Sequence, residues 1–240
     1  MTWSIIARLP DSGRLGFAAA SRFFALGARV PFLEAGVGVV ATQALLNPHY
    51  GPKGLELLRQ GRGVHETVEA LVEADDGRAA RQLHLMDSTG QAAAYTGEEC
   101  IDWHGHRAVE DCSVAGNMLA GPAVIEHTLE AYLARDDLDF PQRLIAALRA
   151  GEEAGGDRRG RQSACLIIVH DQSYTELDLR VDDHADPIGE LARLETVSRE
   201  RWVHFRRYLP TRENPAGITD RARIEAEIAA ATSRGTAERP

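Results

Sequence analysis

Lysine is almost absent from this 240-residue chain: among its 27 lysine and arginine residues, Lys53 is the single lysine. A mechanism that needs a lysine base therefore has one candidate, and that candidate sits in a Gly-Pro-Lys-Gly turn. Positive charge is short overall, because 36 acidic residues bring the formal net charge to -9. Nucleic acid and anionic membrane both select a basic surface, so neither is expected as the main partner, and a small-molecule substrate is. Cysteine is scarce and odd in number (Cys100, Cys112 and Cys165), which predicts reduced thiols in the cytoplasm rather than a disulfide framework. No basic-then-apolar leader opens the chain, and no apolar run reaches membrane-spanning length. Neither a dinucleotide nor a triphosphate glycine fingerprint is present, and no Gly-x-Ser-x-Gly elbow. No cofactor is expected.

What the chain does have is Met1-Thr2-Trp3-Ser4-Ile5-Ile6-Ala7, a threonine directly behind the initiator methionine and at the start of a buried, strand-like run. Initiator methionine is trimmed when residue 2 is small, so the mature chain is expected to begin at Thr2. A terminal threonine carries its own general base, since a free α-amine (unperturbed pKa near ~8) can take the proton from its own hydroxyl.

Residues 3–9 and 14–21 read as two strands around Pro10-Asp11-Ser12-Gly13, a strong turn sequence. A symmetric hairpin there makes the numbers of facing residues sum to about 23, which sets Thr2 opposite Ser21. Small and apolar residues on both faces predict a central hairpin covered on each side. Val37 to Gln43 reads as a third buried strand, followed by helices over 52–60 and 64–74, the second with Val64, Val68, Leu71 and Val72 at helical spacing. A hairpin over 81–87 and 91–96, a strand over 112–119, helices over 122–135 and 140–150, and strands over 165–169 and 176–181 complete the pattern. Two sheets, each covered by a helix pair, would bury all these faces: an α+β, four-layer α-β-β-α sandwich spanning residues 1–186. Residues 187–240 change to charged helix, interrupted by Pro210 and Pro215, then an alanine-rich helix over 219–231 and a disordered end. This extension is a solvated cap or a dimerisation arm; a homodimer is expected.

The second chemical signal is Gly155-Gly156-Asp157-Arg158-Arg159-Gly160-Arg161-Gln162-Ser163, a glycine-rich loop that feeds a buried strand. Glycines let backbone approach a ligand, Asp157 can orient an amine, and Ser163 offers a hydroxyl where the strand begins. Its arginines can hold a carboxylate bidentately. Ser21-Arg22 is brought in by the hairpin register, and Gln43 closes the third strand. His104-Gly105-His106 with Asp102, and Asp182-Asp183-His184, are the weaker sites for a cation; neither has a completing ligand at a convincing spacing, and no metal is expected. Cys165 occupies a mid-strand position where a small apolar residue belongs, so it reads as packing.

Met1 to Ile5, Gly16 to Phe24, Ala41-Thr42-Gln43-Ala44, Gly116-Asn117, Gly155 to Ala164 and Arg180 to His184, in that order, resemble domain-of-unknown-function family number 1028 over roughly residues 1–195. That family looks like a branch of the N-terminal nucleophile hydrolases, whose fold is the same sandwich. The resemblance implies Thr2 as the terminal nucleophile, Ser21-Arg22 as the pair ending the second strand, and Asp157 and Ser163 as assistants of the terminal amine. Residue 2, the hairpin register and the Gly-Gly-Asp loop together lead to the expectation of an amidohydrolase acting on a small non-peptide C-N bond, with Arg22 or Arg161 recognising a substrate anion and Gln43 or Asn117 at the oxyanion. Two positions depart from the proteasome-type pattern: Ala20 stands where an acid precedes Ser-Arg, and no lysine stands on the third strand. The alternative is a non-catalytic module of the same fold that binds an anionic small molecule.

Overall fold

The turn at Pro10 to Gly13 folds back as its sequence dictates. Gly13 donates its N-H to the Leu9 carbonyl at 2.8 Å and takes a φ of 71°, a left-handed conformation that glycine adopts without a Cβ clash. The flanking strands, β1 (Trp3–Leu9) and β2 (Arg14–Ser21), pair antiparallel with Trp3 facing Ala20 and Leu9 facing Arg14. This is the register expected of the hairpin. It lies in a computed structural model that describes residues 2–237, with side chains described through Thr232.

The remaining elements follow in chain order: β3 (Pro31–Glu34), β4 (Gly38–Ala44), α1 (Tyr50–Arg59), α2 (Val64–Glu73), β5 (Arg81–Asp87), β6 (Ala92–Thr96), β7 (Gly105–Val109), β8 (Cys112–Gly116), α3 (Ala123–Ala134), α4 (Phe140–Glu153), β9 (Ser163–Val169), β10 (Leu177–Val181), α5 (Pro187–Glu200), α6 (Trp202–Phe205) and α7 (Arg221–Ala237). They form two antiparallel sheets. One is six-stranded in the order β10-β9-β2-β1-β8-β7 and the other four-stranded in the order β3-β4-β5-β6. The run expected as a third strand is β4, because the shorter β3 precedes it. Neither β3 nor β7 shows the apolar density of the central strands: both are edge strands, with no buried residue in their pattern.

Alternation along the strands sorts residues to two faces. Ile6, Phe17, Ala19 and Cys165 of the six-stranded sheet cluster with Val39, Ala41 and Met86 of the four-stranded one. On the opposite face, a Cβ at Gly16 would stand 2.7 Å from the Phe140 ring and 2.8 Å from Leu144, so α4 lies close against β2. Helices α1 and α2 cover the four-stranded sheet through Leu55, Leu58, Val68 and Leu71 against Val40, Leu83 and Leu85. Chain contacts divide the molecule into a first unit ending at Leu191 and a second beginning at Ala192. Within the second unit, Arg201 on the residue preceding α6 pairs with Glu225 of α7 at 2.7 Å, and Ile218 donates to the Tyr208 carbonyl. The last helix extends beyond the expected end at 231; residues 238–240, expected to be disordered, lie outside the described residues. Among the described residues no helix is long and apolar enough to cross a membrane.

Candidate functional site

Four polar residues line up across one end of the six-stranded sheet. Continuing the β1–β2 register places Thr2 opposite Ser21, and the Thr2 hydroxyl donates to Ser21 Oγ at 3.2 Å. Ser21 in turn faces Ser163 at the start of β9. On the other side, Asn117 follows β8 and donates its backbone N-H to the Thr2 carbonyl at 3.1 Å. The row Asn117, Thr2, Ser21, Ser163 therefore crosses four adjacent strands, and all four residues are buried, Thr2 with 3% exposure. Alternation puts Thr2 on the same face as Ser4 and Ile6, turned toward the four-stranded sheet.

Asp157 approaches the row from the glycine loop but bonds its neighbours. Its carboxylate, fully buried, accepts the Arg22 backbone N-H at 2.9 Å and the Arg159 backbone and guanidinium groups at 2.7–3.0 Å. Ser163 Oγ donates to the Phe23 carbonyl and accepts from Leu26 N-H at 3.5 Å, tying down the turn that leaves β2. These two residues thus hold the chain after Ser21. The exposed Arg22 guanidinium reaches the Arg159 carbonyl at 3.0 Å.

Arg161 belongs to a separate small cleft of about 90 Å³ on the helix-covered face of the same sheet end, lined by Trp3, Ala20, Ser21, Glu152, Gly155 and Asp157 among others. Arg161 Nε stands 3.0 Å from Glu152 Oε1, an ion pair without hydrogen-bond alignment, since that oxygen has no hydrogen-bond partner. Burial pushes the Glu152 carboxyl above its ordinary range, and the nearby Arg161 charge opposes that shift. Thr2 does not line this cleft, because odd and even positions of β1 face opposite ways.

Between the sheets runs a buried polar chain from Ser113 to Asn117 that sequence reasoning missed except at Gln43 and Asn117. Ser4 donates to Gln43 Oε1 at 3.0 Å, so it must accept from His84 Nε2 at 2.8 Å. Burial keeps the ring neutral, so with the proton on Nε2 the His84 Nδ1 is the acceptor for Ser113 Oγ at 3.0 Å. Gln43 donates to Gln82 Oε1 at 2.8 Å, and that oxygen also accepts Asn117 Nδ2 at 3.0 Å. Gln82 Nε2 faces the carbonyls of Gly105 and Gly116 and the Thr96 hydroxyl. Asn117 Oδ1 is left without a partner. Complete burial lowers the His84 pKa to about 3, with His106 adding to the effect, so the ring is neutral throughout the physiological range. The signal available in the sequence was Gln82-Leu83-His84-Leu85-Met86: polar residues alternating with leucines in a strand buried on both faces.

Three of the four non-glycine residues with positive φ among the described residues close these same segments: Ala25 beyond Arg22, Ala44 after Gln43 and Met118 after Asn117. The other sequence candidates fall elsewhere. Lys53 is exposed on α1 and pairs with Glu56. His104 stands beside Asp102, while His106 bonds Thr96, and no group of three possible metal ligands occurs among the described residues. Cys165 lies in the core between the sheets, where burial raises its thiol pKa far above the ordinary value.

None of the curated proteins matches the chain. Anbu (ancestral beta-subunit) from Yersinia bercovieri superposes with a TM-score of 0.39 and 16% identity, over 82% of this chain and 94% of that one, a likeness too low to bear on fold or function. Protein SPO2555 from Silicibacter pomeroyi, a crystal structure that also carries the DUF1028 family model, is 35% identical with a TM-score of 0.85, over 91% of this chain and 96% of that one. The model of the family of unknown function DUF1028 matches residues 2–191, and the chain belongs to that family.

Proposed function

We propose that the first unit is a four-layer α-β-β-α sandwich of the N-terminal nucleophile hydrolase type, and that Thr2, once Met1 is removed, hydrolyses a small non-peptide amide C-N bond. The observation that carries this reading is the Thr2 hydroxyl bonded to Ser21 within a buried row of four polar residues at one sheet end. Left-handed backbone at Ala25, Ala44 and Met118 supports it, because such strain persists where the surroundings impose it and gathers at functional sites.

In the proposed reaction the free α-amine of Thr2 takes the hydroxyl proton as Oγ1 attacks the carbonyl carbon. The tetrahedral oxyanion is held by backbone N-H groups, and by Gln43 or Asn117 after rearrangement of their amides. The amine then returns the proton to the leaving nitrogen as the C-N bond breaks. Water cleaves the resulting ester and regenerates Thr2. Ser21 orients the hydroxyl, Asp157 and Ser163 position the segment beyond Ser21, and Arg22 at the rim attracts an anionic substrate group. In this proposal the protein acts in the cytoplasm as a homodimer without a cofactor.

Asp157 and Ser163 bonding Arg22, Arg159, Phe23 and Leu26 favours a second reading, an anion-binding module in which these groups are scaffold. Intact mass and substrate screening separate the two. The enzyme requires loss of Met1 and abolition of amide hydrolysis by Thr2→Ala. Quantitative retention of Met1, or full turnover in Thr2→Ala, would refute it. A silent Thr2→Ala together with anion binding lost in Arg22→Ala or Arg161→Ala would establish the module.

A further inference from the structure

A groove larger than the cleft beside Arg161 lies away from Thr2, on the helical cover of the four-stranded sheet. It has a volume of about 420 Å³, against about 90 Å³ for the cleft beside Arg161. Its floor is Leu57 of α1 with Ala70, Leu71 and Ala74 along α2 and just beyond it. Asn47 and His49 close one end, and Arg62, in the turn between the helices, closes the other. A volume of this size with an apolar floor and a few polar groups at its rim is the usual build of a small-molecule site.

Charge decides what such a ligand carries. Lys53 and Arg62 bring basic side chains to the rim, and His49 adds a ring nitrogen. Among the described residues neither the Arg62 guanidinium nor the His49 ring has a hydrogen-bond or ion-pair partner. Lys53 has only an exposed pair with Glu56, an interaction too weak in water to keep it from a better acceptor. The lining carboxylate, Asp75, is already saturated. It accepts from Asn47 Nδ2, the Tyr50 hydroxyl, Gly77 N-H and Arg81 Nε at 2.8–3.1 Å. Burial alone would raise its pKa, yet those four donors hold the carboxyl well below the usual range. The same bonds tie the segment after β4 to the end of α2 and make that wall rigid.

We propose that this groove between α1 and α2 is a second ligand site, for a small amphipathic carboxylate whose short apolar tail lies on Leu57, Leu71 and Ala74 while its anion meets Arg62 and Lys53. The site is independent of the Thr2 chemistry, and its test involves no turnover. Titrate the full chain with hexanoate, with 1-hexanol and hexylammonium as controls, following backbone amide shifts and heat. Saturable hexanoate binding is expected, with shifts at residues 49–62 and 70–75 and at least tenfold weaker binding of both controls. Arg62→Gln and Lys53→Gln should each weaken hexanoate about tenfold, the order expected for one charge-assisted contact. Ala74→Phe, at an exposed position, should fill the groove and abolish binding. Absence of saturation at millimolar hexanoate, equal binding of hexylammonium, shifts centred on the Thr2 end, or unchanged affinity in the three variants would each overturn the proposal.

Discussion

Acidification should unfold this protein partly through one buried ring. His84 is inaccessible to solvent, and burial, with a smaller contribution from His106, holds its folded pKa at about 3 against an ordinary 6.5. A histidine whose folded pKa lies below its unfolded value is bound by more protons in the unfolded chain throughout that window. Stability is therefore complete above pH 6.5 and is lost as the pH falls toward 3. Each unit of pKa difference corresponds to about 1.4 kcal/mol, so the ring should account for about 2 kcal/mol between pH 6.5 and 5 and about 5 kcal/mol over the whole window. That is a large share of the roughly 5–15 kcal/mol that holds a domain folded. Other groups titrate too: partly buried Glu152 and more exposed Asp178 have raised pKa values and work in the opposite direction, while His106 works in the same one. The measurement is therefore a difference. Urea unfolding of wild type and His84→Gln at pH 7, 6, 5 and 4.5 should show the variant less stable at pH 7 but with a shallower fall. The gap between the two should shrink by about 2 kcal/mol at pH 5. Parallel pH dependences would refute the reasoning.

Two further perturbations test the frame around the candidate site. Gly16→Ala should cost about 1–3 kcal/mol in thermal or urea unfolding, because its Cβ would stand under 3 Å from the Phe140 ring and Leu144; a neutral result would mean that α4 is free to shift. Asp157→Asn should cost about 2 kcal/mol and increase proteolytic cutting within 157–161, since it removes the charge from a buried acceptor of Arg22 and Arg159. Unchanged stability and cleavage would show that the loop is held by something else.

The strand hairpin was legible because its determinants are local. Pro10 to Gly13 sets the turn, a two-residue period sets the faces, and together they fix Thr2 opposite Ser21 without knowledge of anything else. The same reasoning placed β5 with β6 and the helices α1 to α4 near their observed bounds. It passed over β3 and β7, short edge strands with no fully buried position, partly buried in β3 and mostly exposed in β7, so neither carries the pattern of a central strand. It grouped Arg161 with Thr2, although the pleat sends the cleft that holds Arg161 to the opposite face. The polar chain through Ser4, His84, Ser113 and Gln82 escaped because the bonds that define it cross between the sheets, from Ser4 and Ser113 to His84 and from Gln82 to the Gly116 carbonyl.

By itself, then, the sequence determined the alternation of strands and helix pairs, the register of the first hairpin, the shortage of lysine and the family to which the chain belongs. Only the tertiary structure decided which polar groups Asp157, Ser163 and Gln43 bond. Turn chemistry and strand period act over a few residues, whereas a buried polar group must find its partner wherever packing brings one, and that partner can lie on any strand.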